Sequence, residues 1–78
     1  MISRFYGNVD INAQRVNRDV STVVEEVIQH LTALTGCEVQ ITLEISAARP
    51  EGFDDATIRT VNENSKVLKF TNFGFEES

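Results

Sequence analysis

Residues 38–45 read Glu-Val-Gln-Ile-Thr-Leu-Glu-Ile, and their polar and apolar side chains alternate without interruption. Alternation with a period of two is typical of a β-strand that buries one face. A strand covered on both faces would be apolar throughout. The stretch therefore predicts a sheet with a single covered face, formed here by Val39, Ile41, Leu43 and Ile45.

The segment upstream of this strand has the spacing of an amphipathic helix. Over residues 20–35, apolar side chains recur every three or four positions and polar side chains occupy the other face. Burial of the apolar face is expected to outweigh the low helix propensity of its valines. Asn17 or Asp19 is predicted to cap the helix, and Gly36 to end it in the left-handed conformation. The apolar face consists of Val20, Val23, Val24, Val27, Ile28, Leu31 and Leu34.

Two further strands and a second helix are predicted on either side of this pair. Residues 4–11 and residues 66–70 each place apolar side chains at alternate positions. Asp54 is predicted to cap a short helix, with Phe53 and Ile58 at the spacing of a hydrophobic staple. The inward side of that helix is expected to carry Ile58, Val61 and Ser65.

The order of elements is therefore strand, helix, strand, helix, strand. Residues 1–78 are predicted to form one small α/β domain with two layers, in which two helices cover one face of a three-stranded sheet. A chain of this length supports one small core, and a large catalytic cleft would be hard to build on it.

The charge balance argues against binding to nucleic acids. The chain carries 7 basic and 12 acidic side chains, for a net charge of −5, whereas binding to phosphates needs a basic surface. The alternative function is a small nucleic-acid-binding module of the helix-on-sheet type. It would require Arg4, Arg15, Arg18 and Lys69 to converge on one surface.

The residues capable of catalysis or metal binding do not form a recognisable constellation. His30 is the only histidine and Cys37 the only cysteine, so a zinc site lacks ligands at a suitable spacing. The neighbouring carboxylates Glu25 and Glu26 point apart on a helix, and Asp54 with Asp55 fits a helix start. We therefore expect no enzyme activity, no metal and no cofactor.

Aromatic residues suggest a surface for protein partners. Phe73 and Phe75 follow the last predicted strand, where they either pack on the core of the chain itself or anchor another protein. Tyr6 lies on the polar face of the first predicted strand. Open sheet edges would also allow a homodimer through a strand.

The sequence also predicts a cytoplasmic protein. Cys37 has no partner for a disulfide within the chain, whereas small secreted domains usually carry disulfides. The first residues lack the basic and apolar regions of a signal peptide. No apolar run approaches the roughly 20 residues that span a bilayer, so no membrane contact is expected.

A family resemblance is carried by six segments spread over nearly the whole chain: Arg-Phe-Tyr-Gly at 4–7, Glu-Glu-Val-Ile-Gln-His-Leu at 25–31, Val-Gln-Ile-Thr-Leu-Glu-Ile at 39–45, Val-Asn-Glu-Asn at 61–64, Leu-Lys-Phe at 68–70 and Gly-Phe-Glu at 74–76. Together they resemble the extreme C-terminal segment of large prokaryotic P-loop (AAA-type) ATPases, a family of largely unknown function. The chain differs from that pattern at Asn12-Ala13 and at Asn72-Phe73.

The resemblance implies a role without catalysis. The nucleotide-binding motif of such an ATPase would lie upstream, and it has no counterpart in these residues. The chain would then be the C-terminal module of a larger protein, or a free-standing relative of one. Its implied function is that of an interaction or regulatory module, whose partner is the rest of the ATPase or a second copy of the chain.

Overall fold

The computed structural model describes residues 1–77 and contains two helical regions joined by irregular segments. The chain divides into two compact units, Met1–Thr42 and a second unit that begins at Leu43. Each unit contributes one helical region.

The helical region of the first unit is continuous over residues 16–32. It begins with helix α1, Val16–Val23, continues through a π-helical turn, Val24–Ile28, and ends with helix α2, Gln29–Thr32. At 1.5 Å per residue it is about 25 Å long. The predicted helix over residues 20–35 is thus confirmed in its type and its middle, but it begins four residues earlier and ends three residues earlier than predicted.

The predicted caps of this helix are wrong, because the helix begins at Val16 and both Asn17 and Asp19 lie inside it. The residue at the cap position is Arg15, which makes no capping hydrogen bond through its side chain. Instead, the backbone N–H of Asn12 donates to Asp19 Oδ2 at 3.2 Å. The N–H of Gln14 donates to Asn12 Oδ1 at 2.8 Å, which forms a turn just before the helix.

The prediction for Gly36 is confirmed only in its backbone conformation, because the helical region ends at Thr32 and Gly36 lies three residues beyond the C-cap, Ala33. Gly36 has φ +81°, the left-handed conformation that glycine adopts without steric cost. The N–H of Cys37 then donates to the carbonyl of Leu34 at 3.2 Å.

The helix of the second unit, α3, spans Asp55–Val67 and begins after Asp54, as predicted. Asp54 does not bond a backbone amide of the helix through its side chain, because its carboxylate accepts the hydroxyl of Thr57 instead. The helix is longer than the short element that was predicted, and it takes up residues that were assigned to the third strand.

The end of α3 explains why residues 66–70 do not form a strand. The N–H of Phe70 donates to Ser65 O at 2.9 Å, and the N–H of Lys69 donates to Lys66 O at 3.0 Å. These two bonds are those of a Schellman motif, in which the residue after the helix takes a positive φ. Lys69 fills that position with φ 61°.

The predicted three-stranded sheet is wrong for the part of the chain that the structure describes. Residues 4–11 and 38–45 belong to neither helix nor strand. A strand needs a second strand to accept and donate its backbone hydrogen bonds. No backbone hydrogen bond within residues 1–77 joins these two segments to another segment. The alternation of side chains was therefore insufficient to specify strands.

The predicted core under two helices is also wrong. Ile41, Leu43 and Ile45 are about two-thirds exposed, at 66–69 % of their full surface, and Val39 is half-buried. Over residues 1–77 no hydrophobic side chain is buried, and the one buried residue is Ser65. The physical reason is the missing sheet, since the two-layer fold needs a sheet for the helices to cover.

Replacing Lys69 by glycine is expected to stabilise the second unit by about 0.5–1 kcal/mol, because glycine adopts a positive φ without the strain of a Cβ atom. Hydrogen exchange of the α3 amides or thermal unfolding would measure the change. In Lys66→Gly, the same replacement lies inside the helix and should destabilise it by about 1 kcal/mol. Equal effects of the two substitutions would contradict the Schellman motif.

Candidate protein-interaction surface

The main candidate site is an apolar surface formed by the helical region of the first unit and by Leu34, two residues after it ends. We call it the helix stripe and define it as Val16, Val20, Val23, Val24, Val27, Ile28, Leu31 and Leu34. Val23, Ile28 and Leu31 are half-buried, whereas the other five are 38–58 % exposed. Isolated exposed apolar residues are common on protein surfaces, but a contiguous stripe of them is typical of an interaction site.

The π-helical turn lies in the middle of the helix stripe. It contains Val24, Val27 and Ile28, and it directly follows Val23. Such turns are rare, and they occur frequently at functional sites. The sequence carries no specific signal for the turn; β-branched residues occur here in adjacent pairs, Val23-Val24 and Val27-Ile28.

The charged residues of this helical region are distributed unevenly. Near its beginning, Arg15 Nε lies 3.9 Å from Asp19 Oδ1, so these two charges largely offset each other. In the π-helical turn, Glu25 and Glu26 are exposed and form no ion pair within residues 1–77. Arg18, exposed in α1, likewise forms no ion pair within this range.

A second apolar feature, in the second unit, consists of two aromatic pairs. The rings of Phe53 and Phe75 meet edge to face, with their centroids 5.2 Å apart and their planes at 70°. The rings of Phe70 and Phe73 do so at 6.4 Å and 84°. We call these four residues the aromatic clasp. Edge-to-face contacts of this kind are favourable because the positive edge of one ring meets the negative face of the other.

The aromatic clasp requires the chain after α3 to run back along the helix. The helix from Asp54 to Ser65 is about 16 Å long, and an extended chain from Phe70 to Phe75 also reaches about 16 Å. Phe70 bonds to Ser65 at one end, and Phe75 contacts Phe53 at the other. This course agrees with the burial of Ser65 and the half-burial of Ile58 and Asn62.

The structure assigns different surroundings to the three predicted partner-binding residues. Phe75 is half-buried against Phe53, and Phe73 is 40 % exposed beside Phe70. Both therefore contact aromatic rings of their own chain. Tyr6 lies in the first unit and is 86 % exposed.

The residues considered for catalysis lie on open surfaces. His30, in α2, is exposed, as is Cys37 after Gly36. No group of three or more His, Cys, Asp or Glu side chains within residues 1–77 could hold a metal ion. No helix in the same range is long and apolar enough to cross a membrane.

Comparison of the chain with models of known protein families, with curated proteins and with solved structures gave no match. Function must therefore be argued from the surfaces of the chain itself.

Proposed function

We propose that the chain is a non-catalytic interaction module whose helix stripe docks onto another protein. The observation that carries the proposal is the exposure of the helix stripe, in which Val20, Val24 and Val27 remain nearly 40 % exposed along one helical region. Transfer of such apolar surface from water to a protein interface is favourable. In one recurring mode of protein recognition, the apolar face of an amphipathic helix packs into a hydrophobic groove of the partner.

The aromatic clasp has a structural role in this proposal. Its rings contact each other within the second unit, and they return the chain along α3. The helix stripe is therefore the proposed docking surface. Phe73, in the second unit, is a second candidate for contact with a partner, because its ring remains partly exposed.

The proposed context of this module is the C-terminal end of a large prokaryotic P-loop ATPase, or a free-standing relative. The segments at 25–31 and 61–64, which contribute to that resemblance, lie within the two helical regions. In that context the docking partner is the rest of the ATPase or a second copy of the chain, and the module acts by binding.

We also propose a cytoplasmic location. Cys37 is the only cysteine of the sequence, and its side chain is exposed. A reducing compartment keeps an exposed thiol from forming disulfides with other proteins. Small secreted domains, in contrast, are usually stabilised by several internal disulfides.

Docking can be tested with a synthetic helical peptide whose apolar face consists of leucine and whose flanking positions are glutamine. We call it the neutral peptide. Titration of the chain should shift the methyl NMR signals of the helix stripe and increase the protection of residues 16–32 against hydrogen exchange. The methyl groups of Ile41 and Ile45, which are exposed outside the helix, serve as internal controls. Unchanged stripe signals, or shifts confined to the controls, would contradict the proposal.

A further inference from the structure

We draw no further inference here: the strongest candidate, the surface patch of exposed apolar side chains Ile41, Leu43 and Ile45 in the irregular segment 38–45, carries none, because nothing in the structure of residues 1–77 shows what covers it.

Discussion

The double substitution Val24→Asp/Val27→Asp is expected to weaken binding of the neutral peptide about a hundredfold. Both side chains lie in the π-helical turn at the centre of the helix stripe. Covering a carboxylate with an apolar partner removes its water without supplying a hydrogen bond, which costs more than the lost valine contacts alone. A hundredfold loss of affinity corresponds to a loss of about 2.7 kcal/mol in binding free energy. Fluorescence anisotropy of the labelled peptide would measure it.

The control for this variant is Thr22→Asp/Gln29→Asp, in the same helical region. Thr22 and Gln29 are exposed polar residues of the same helical region, and neither belongs to the helix stripe. The control adds the same charge to the helical region, and it should change the affinity less than about threefold. Circular dichroism should show similar helix content in both variants. Equal losses of affinity in the two variants would contradict docking through the stripe.

The substitution Phe75→Ala is expected to destabilise the second unit by about 2 kcal/mol. Phe75 is half-buried and meets the ring of Phe53 edge to face at 5.2 Å. Its removal eliminates both the burial of the ring and the contact between the rings. Because a unit of fewer than about 40 residues is only marginally stable, the helical signals of α3 should decrease strongly. NMR secondary chemical shifts over Asp55–Val67 would measure the decrease.

Two comparisons make the Phe75 result specific. Val67→Ala alters a side chain that is 76 % exposed, and it should change stability by less than about 0.5 kcal/mol. A double-mutant cycle with Phe53→Ala should give a coupling energy of about 0.5–1.5 kcal/mol between the two rings. A coupling energy near zero would show that the aromatic clasp does not stabilise the unit.

Local sequence patterns identified both helical regions of this chain, but they did not give both ends of either one correctly. A helix satisfies its backbone hydrogen bonds within its own segment, so apolar spacing over residues 20–35 identified a real element. Asp54 precedes α3 as predicted, but its side chain does not cap a backbone amide, and Gly36 takes the predicted left-handed conformation three residues after the C-cap of the first helical region. The π-helical turn has no comparable pattern in the sequence, because a wider helical turn has no specific residue signature.

The same patterns failed where structure depends on distant segments. The alternation in 38–45 describes how a strand would present its side chains, but it does not supply the second strand that the backbone needs. At Lys69 the chain takes a left-handed conformation that favours glycine. A lysine gives no sequence signal for it, so residues 66–70 were interpreted as a strand.

The functional surface was only partly predictable for a related reason. The apolar face of the first helix was identified from its spacing, but it was assigned to a core because a sheet was expected to cover it. Without that sheet, Val24 and Val27 remain exposed. The sequence indicates Phe73 and Phe75 as possible anchors, but it does not show that Phe53 and Phe70 are their neighbours.

The most direct test of the account is the solvent exposure of the valine methyl groups in the isolated chain, measured by NMR with a soluble paramagnetic co-solute. The account predicts strong relaxation enhancement at Val16, Val20, Val24 and Val27, helical chemical shifts over residues 16–32, and no strand contacts from 38–45. Protected valine methyl groups, together with cross-strand contacts that pair 38–45 with another segment, would contradict it.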